Sequence, residues 1–291
     1  HAALAVAPAL TIPAVTGFHT QFHQYSRHYG LGMLTRPIVD TLRRFHHASD
    51  ATLVPTTTLE HELANDGFRN LHVFSRGVDT TLFSPLRRDP ALRRAWGCDE
   101  DTLTALYVGR IAAEKNIGLA VDAFRAMVTA RPAMRVVLVG DGPELLRLRR
   151  EHPDYLFTGA KVGATLAAHY ASADLFVFPS LTETFGNVVT EAMASSLPVL
   201  AFDYAAAREH VRNGSNGLTV PLGDRDAFVA TATGVAHDPS PLKQLGRAAR
   251  STAESLGWDR VIRGVEQRLL EVIERHAHPG GRHEAMAATT E

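Results

Sequence analysis

Two acidic residues, Glu183 and Glu191, lie around the start of one predicted helix, directly after an apolar strand. The first backbone N–H groups of a helix have no partner within it, so those around Phe185 to Val188 form an anion site. A carboxylate beside that site would repel a phosphate, but it can accept hydrogen bonds from two vicinal sugar hydroxyls. This layout predicts a ligand with both phosphates and sugars. Helix capping by Glu183 and a solvated position for Glu191 are the structural alternatives.

Two basic residues, Arg110 and Lys115, follow a second apolar strand that ends at Gly109. Ligands of open α/β sheets bind at the carboxyl ends of strands, and a glycine there lets a ligand approach the backbone. A guanidinium offers a forked pair of donors and an ammonium a point charge, which together suit a diphosphate. The alternative is a pair of solvated charges with Glu114 as their neighbour.

Length and composition limit the classes of protein to which this chain can belong. Its 291 residues, 45% of them hydrophobic, suit two α/β lobes. The formal net charge of −1 provides no overall field that would favour nucleic acid. Cys98 is the single cysteine, which excludes an internal disulfide and fits a reducing, cytoplasmic compartment. No apolar run reaches the roughly 18 residues that a membrane span requires.

Short apolar runs rich in β-formers alternate with longer helical patterns, which predicts α/β lobes with parallel sheets covered on both faces. The predicted strands are residues 14–18, 51–54, 71–74, 104–109, 136–140, 156–158, 175–178, 198–202 and 218–220. The predicted helices between them are residues 35–48, 57–65, 119–130, 144–151, 163–171, 186–195 and 226–237.

This alternation predicts two Rossmann-like, doubly wound domains, of which the first is incomplete. Residues 1–84 offer three strands, too few for a complete domain of this class, so we expect a lobe truncated at its N-terminus. Residues 85–257 hold six strands and form the predicted second domain. A C-terminal helix is predicted over 258–276 and a disordered tail over 277–291.

Several motifs resemble those of retaining glycosyltransferases of the GT-B fold, family four, and they occur in family order over roughly residues 70–220. The motifs are E-x7-E from Glu183 to Glu191, GVD-x3-F-x-P over 77–85, VGR-x4-KN over 108–116, VGDGP over 139–143 and FPS-x2-ET-FG over 178–186. The segment HTQFHQYSRHYGLG, residues 19–32, is similar to GDP-mannose-dependent α-mannosyltransferases and related glycolipid synthases.

The resemblance implies a transferase that moves a hexose from a GDP- or UDP-sugar to a hydroxyl on a lipid or glycan, with retention of configuration. Arg110 and Lys115, beside Gly109, would hold the donor diphosphate. Glu191 would hold the ribose hydroxyls of the nucleotide, and Glu183 would contact the transferred sugar near the reacting centre.

Two further parts of the donor site follow from the same resemblance. The amides of Phe185, Gly186 and Asn187 would surround the sugar and the β-phosphate. His19 would face the donor sugar from the first lobe, although it is one of 15 histidines. One departure from the family pattern is an alanine run over 205–207, where members often carry a pair of glycines.

Charge stabilisation by Arg110, Lys115 and the helix amides makes a divalent metal unnecessary in this interpretation. Two Asp-x-Asp pairs, at Asp99 and Asp224, are interpreted as loop and capping residues. Three arginine pairs could form a basic face towards anionic lipid, with ordinary solvated charge as the alternative. These pairs begin at Arg43, Arg87 and Arg93.

Three other functions compete with the transferase. A GT-B sugar-nucleotide epimerase or hydrolase would use the same cleft without an acceptor. A non-catalytic nucleotide-sugar-binding module would fit the truncated first lobe. A dinucleotide oxidoreductase lacks support, because no G-x-G-x-x-G follows a predicted strand.

Overall fold

A computed structural model describes residues 2–18, 35–183 and 185–277 of the chain. Its contacts group into two units: His1–Arg76 together with Asp259–Glu291, and Gly77–Trp258. The predicted domains, residues 1–84 and 85–257, are independently folding segments, which a grouping of contacts does not test. Their boundaries therefore stay a prediction. Each unit is described by itself below.

The first unit contains a parallel sheet with the strand order β1-β2-β3, formed by Val15–Gly17, Ala51–Val54 and Leu71–Val73. Its helices are α1 (Ala2–Val6), α2 (Thr35–His47), α3 (Thr57–Asn65) and most of α12 (Trp258–Ala277). Apolar side chains of β2, α3 and the adjoining loops form its small core, which includes Phe18, Val54, Leu59, Leu63 and Phe68. All three strands predicted for this region are confirmed.

The second unit contains a six-stranded parallel sheet with the order β6-β5-β4-β7-β8-β9. Its strands are β4 (Thr104–Val108), β5 (Arg135–Val139), β6 (Leu156–Gly159), β7 (Leu175–Phe178), β8 (Val199–Phe202) and β9 (Leu218–Val220). Every residue of β4, β7 and β8 is buried, as expected of strands covered by helices on both faces. The chain first builds outward on one side of β4 and then on the other, so the predicted doubly wound sheet is confirmed.

Eight helices of the described residues belong to this second unit. They are α4 (Pro90–Ala95), α5 (Ile117–Ala130), α6 (Leu145–Glu151), α7 (Gly163–Ser172), α8 (Asn187–Ala194), α9 (Ala205–His210), α10 (Arg225–His237) and α11 (Leu242–Glu254). The sequence pattern did not predict α4, α9 or α11. Helix α12 runs to Ala277, so the first residue of the predicted tail is helical, and residues 278–291 lie outside the described part of the chain.

Arg93 departs from the basic face proposed on sequence grounds, because its side chain is buried. Its guanidinium donates to the backbone oxygens of Ser172 and Thr102, each at 2.8 Å, and to the carboxylate of Asp174 at 3.2 Å. Arg88 also donates to Asp174, at 3.1 Å. Arg88 and Arg93 therefore hold α4 and the segment before it against the end of α7. Arg93 is neither part of a basic surface nor the solvated charge considered as the alternative.

The Asp-x-Asp pairs have the local roles predicted for them. The carboxylate of Asp99 accepts hydrogen bonds from the backbone N–H groups of Asp101 and Thr102. Asp224 caps helix α10 by accepting from the N–H of Ala227 at 2.9 Å. Among the described residues, no helix is both long and apolar enough to cross a membrane.

Two glycines allow the ends of β4 and β5 to approach closely. Gly140 has a φ of +146°, and a Cβ atom there would lie 1.8 Å from the carbonyl oxygen of Gly109. Gly109 has a φ of +153°, and its N–H donates to Val139 O at 3.0 Å. Only glycine fits at position 140, because a Cβ atom there would clash with a backbone atom, which cannot move aside as a flexible side chain can.

We predict that Gly140→Ala lowers the free energy of unfolding by about 3 kcal/mol or more, since both the contact and the backbone conformation become unfavourable. Denaturant unfolding of the purified variant measures this change. Gly234→Ala is the matched control, because Gly234 lies in the exposed interior of α10 with nothing within 4 Å of an added Cβ. That variant should be more stable than the parent by about 0.5–1 kcal/mol, and equal effects at the two sites would contradict the close approach inferred at Gly140.

Candidate functional site

The predicted site residues of the second unit come from loops that follow neighbouring strands. Lys115 lies in the loop after β4, and Glu183 lies in the loop after β7. These strands pair directly, with Ala105 opposite Leu175. β4 is the strand at which the order of the sheet reverses, and ligands of doubly wound sheets bind outside the carboxyl ends of the strands at this position.

An ion pair connects the two loops. The ammonium of Lys115 lies 2.5 Å from Oε1 of Glu183, and it also donates to the carbonyl oxygen of Thr182 at 3.1 Å. Ser180 donates its hydroxyl to the same carboxylate oxygen at 2.9 Å. The side chains of Lys115 and Glu183 are only 18% and 15% exposed, so water screens this pair less than it screens a surface salt bridge.

Two further hydrogen bonds hold these loops together. The Thr182 hydroxyl donates to the backbone oxygen of Glu114 at 2.8 Å. The side-chain amide of Asn116 donates to the backbone oxygen of Pro179 at 3.1 Å. The position of Glu183 relative to Lys115 is therefore fixed by backbone contacts as well as by charge.

Arg110 lies in the same loop as Lys115 but has a different partner. Its guanidinium, 57% exposed, pairs with Glu114 at 2.8 Å. The phenol of Tyr107 donates to the Arg110 carbonyl oxygen at 2.9 Å, which holds the backbone of the loop. The structure thus brings Lys115 to Glu183, whereas the Arg110 side chain pairs with Glu114, the neighbour considered as its alternative.

Helix α8 begins immediately after the Glu183 loop. Gly186 is its N-cap, with a φ of +94° that favours glycine, and Asn187 is its first residue. The Phe185 side chain is buried, and its carbonyl oxygen accepts from the N–H of Ala206 at 2.9 Å. A small pocket lies here, lined by Phe178, Ser180, Glu183, Phe185, Val189, Ala201, Phe202, Tyr204 and Ala205–Ala207.

The alanines at 205–207 line this pocket. Ala205 has a φ of +49°, a conformation in which glycine is favoured. The glycine pair that family members often carry would thus suit this backbone. Alanine in its place retains the backbone conformation and fills part of the space beside Glu183.

Glu191, in the second turn of α8, has an environment unlike that of Glu183. Its Oε2 atom accepts a hydrogen bond of 3.0 Å from the phenol of Tyr170, which is fully buried. Burial raises the pKa of Glu191 above the ordinary value of 4.5, and the hydrogen bond from Tyr170 offsets part of this rise. Glu191 is therefore a largely buried carboxyl rather than the solvated position considered as its alternative.

His19 lies outside the described residues, so the structure gives no information about it. Two polar partners of the glutamates were missed on sequence grounds. Ser180 stands three residues before Glu183, within the motif that was recognised, and this spacing was a usable signal. Tyr170 lies on another helix, 21 residues from Glu191, and nothing local connects the two. Within residues 2–18, 35–183 and 185–277, no cluster of three or more His, Cys, Asp or Glu is arranged to hold a metal ion.

We predict that Glu191→Gln raises the melting temperature at neutral pH. A carboxyl with a raised pKa in the folded protein favours folding when it is protonated, and this contribution is lost as the pH rises through the raised pKa. Glutamine carries no charge and can still accept from Tyr170. The advantage of the variant should shrink as the pH falls towards 4.5.

Thermal melts of the parent and the variant across this pH range test the assignment. Glu100→Gln, at an exposed position, is the control for loss of an acidic charge. A Glu191→Gln protein that melts below the parent at neutral pH would contradict the electrostatic cost inferred here.

Comparison with known protein families places both parts of the chain. Residues 1–82 match the family described as Glycosyltransferase Family 4. Residues 102–238 match the family described as Glycosyl transferases group 1. The second match contains Gly109, Arg110, Lys115, Glu183 and Glu191.

Individual proteins give the same result. A GDP-mannose-dependent alpha-mannosyltransferase of Mycolicibacterium smegmatis is 37% identical over 250 residues, covering 86% of this chain and 64% of that protein. A sulfoquinovosyl transferase of Arabidopsis thaliana is 33% identical over 88% of this chain and 51% of its own length. The chain therefore spans less than two thirds of these relatives.

Among solved structures, Anabaena HepE in complex with UDP and glucose superposes with a TM-score of 0.74 at 20% identity, covering 92% of this chain and 75% of that protein. This similarity concerns the fold. The chain belongs to the GT-B glycosyltransferases, with a family 4 domain followed by a group 1 domain.

Proposed function

We propose that the protein transfers a hexose from a nucleotide-diphosphate sugar to an acceptor hydroxyl, with retention of configuration. The observation that carries the proposal is the Lys115–Glu183 pair at the ends of β4 and β7. In this pair a cation suited to a diphosphate directly contacts a carboxylate suited to sugar hydroxyls. A donor in which sugar and diphosphate are joined requires this adjacency.

In this proposal Lys115 binds the diphosphate from the β4 side, with the Gly109 backbone close by. Its ammonium has three donors, of which two are used by Glu183 and Thr182 in the structure. Arg110 adds charge after exchanging Glu114 for a phosphate, a low-cost exchange because the Arg110 side chain is largely exposed. The amides of Phe185, Gly186 and Asn187 approach the phosphate and sugar from the β7 side.

The two glutamates then bind different parts of the donor. Glu191 accepts hydrogen bonds from the ribose hydroxyls, and Glu183 accepts them from the transferred sugar. His19 is proposed to face that sugar from the first lobe.

The leaving group in such a transfer is a nucleoside diphosphate whose negative charge grows in the transition state. Lys115 and the helix amides stabilise that growing charge. In our proposal these groups take the place of a metal ion. As a working hypothesis, the acceptor attacks from the face of the leaving diphosphate, and the diphosphate helps to remove the acceptor proton. Glu183 stabilises the positive charge that develops on the sugar.

We further propose mannose as the sugar and GDP as the nucleotide, since the mycobacterial relative is named for GDP-mannose. The acceptor is proposed to be a lipid or a glycan, and the protein to act in the cytoplasm with a peripheral contact at the inner face of the membrane. Arg93 is buried, whereas Arg44, on α2, and Arg87 and Arg94 are exposed. Arg43, beside Arg44, is half-buried and pairs with Asp40. We take Arg43 and Arg44 as the pair that supports this contact.

We predict that loss of the donor depends on an acceptor. GDP-mannose and UDP-glucose are each incubated with the full-length protein, with and without a panel of glycan acceptors and lipid acceptors in vesicles, and released nucleotide is measured. Transfer requires release that rises with one acceptor class. Equal release without any acceptor would indicate the epimerase or hydrolase alternative, and binding without release would indicate the non-catalytic module.

The same vesicles, prepared with and without anionic lipid, test the membrane contact by co-sedimentation. We expect binding at low salt that Arg43→Ala with Arg44→Ala reduces. Equal sedimentation with neutral and anionic vesicles would remove the electrostatic contact from the proposal.

We predict different defects for the two members of the ion pair. Lys115→Ala should weaken donor binding roughly tenfold or more, because a diphosphate loses its closest cation. Glu183→Gln keeps the size of the side chain and should lower kcat roughly a hundredfold, because the developing charge loses its stabilising carboxylate. Calorimetric binding and steady-state rates separate these effects.

Lys243→Ala, at an exposed position on α11, is the control for loss of a lysine. A Glu183→Gln protein with the parent's turnover would refute the placement of the sugar beside Glu183.

A further inference from the structure

One polar contact of the proposed donor site is not used by the proposed mechanism. Tyr170, on α7, donates its hydroxyl to Oε2 of Glu191 at 3.0 Å. Its side chain is fully buried, so its hydroxyl is not available to solvent as an ordinary surface phenol would be. A buried phenol requires a hydrogen-bond partner, and here that partner is the acid proposed to bind ribose.

The ring of Tyr170 is held from two sides. Phe83 meets it at a centroid distance of 5.8 Å and Phe176 at 5.7 Å, both in edge-to-face geometry. Edge-to-face pairs of this kind are favourable and restrict the orientation of a ring within a core. Ring packing therefore holds the hydroxyl in place in addition to its hydrogen bond to Glu191.

The proton of this contact also has a defined location. Burial raises the pKa of Tyr170 well above its usual value, and the nearby charge of Glu191 raises it further. The phenol stays protonated at the pH of any ordinary reaction, so it donates to Glu191 whenever that carboxyl is ionised. A donated hydrogen bond stabilises a carboxylate that burial otherwise disfavours.

We propose that Tyr170 is a positioning residue for donor recognition, holding Oε2 of Glu191 so that the carboxylate presents its other oxygen to the ribose hydroxyls. This inference rests on the proposed function, because it assumes that Glu191 binds ribose. The arrangement sets the carboxylate in one orientation before the donor arrives, which reduces the entropy lost on binding.

The test is a double-mutant cycle with GDP as the titrated ligand, in the full-length protein. Tyr170→Phe keeps the ring and removes only the hydroxyl, and it should weaken GDP binding roughly three- to tenfold. In a Glu191→Ala background the same change should cost less than about twofold, because the acceptor through which it acts is absent. With GDP-mannose, Tyr170→Phe should raise KM by a similar factor and leave kcat nearly unchanged.

Removing the ribose hydroxyls from the ligand gives an independent check. The parent protein and Tyr170→Phe should bind 2′,3′-dideoxy-GDP equally well, because Glu191 then has no hydroxyl to accept from. A loss of affinity for this ligand as large as that for GDP would overturn the proposal, since it would mean that the substitution disturbs the site in general.

Tyr155→Phe is the control for removal of a buried phenol elsewhere in the same unit, and it should leave GDP binding at the parent's value. Glu191→Ala, which removes the acceptor oxygens, separates the two levels of inference. If it weakens GDP binding and Tyr170→Phe does not, the positioning role fails and the proposed function stands. If Glu191→Ala itself leaves GDP binding unchanged, the ribose role of Glu191 fails, and the role of Tyr170 fails with it.

Discussion

The ion pair between Lys115 and Glu183 is the interaction on which the candidate site depends. The two residues are 68 positions apart, and they meet because β4 and β7 are neighbours in the sheet. A reversal of strand order leaves the ends of these strands open, whereas elsewhere the connecting helices cross over the sheet. Charge, backbone hydrogen bonds and strand pairing all act on the same two loops, so the site does not rely on a single contact.

The two glutamates show how similar residues acquire different properties within one short segment. Glu183 lies beside the ammonium of Lys115 and the hydroxyl of Ser180. Glu191 instead accepts from the neutral phenol of Tyr170, and burial raises the pKa of the Glu191 carboxyl. A cation offsets the cost of burying a charge far better than a neutral donor does. Glu191 is thus expected to cost stability, as groups retained for ligand binding often do.

Packing around the carboxyl ends of the strands limits which residues can occupy the site. Gly140 meets the carbonyl oxygen of Gly109, and Gly186 begins α8 with a left-handed backbone. Gly140 has no room for a side chain, and the backbone of Gly186 favours a residue without one. The backbone itself therefore forms part of the wall of the candidate site. Ala205 has a similar backbone conformation with a methyl group, which makes the pocket beside Glu183 narrower than a glycine would.

The nine strands and most of the longer helices could be predicted from the sequence, because buried parallel strands are short apolar runs and helices have their own period. Helix α4 was missed because its stability comes from contacts beyond its own segment. Its cap by Asp89 is local, but Arg93 ties it to the backbone oxygen of Ser172 at the end of α7. For the same reason Arg93, which reads as a surface charge in the sequence, is buried.

The sequence by itself determined the doubly wound class of the second unit and the residue types of the site, since both depend on local patterns of apolar, glycine and charged residues. Only the tertiary structure decided which charges pair. Lys115 meets Glu183, Arg110 meets Glu114, and Tyr170 meets Glu191. Two of these contacts join separate elements, and their partners are set by strand order and helix packing, which no local pattern encodes. Glu183 and Glu191 are the same amino acid, but they differ in environment because the fold places a cation beside Glu183 and a buried phenol beside Glu191.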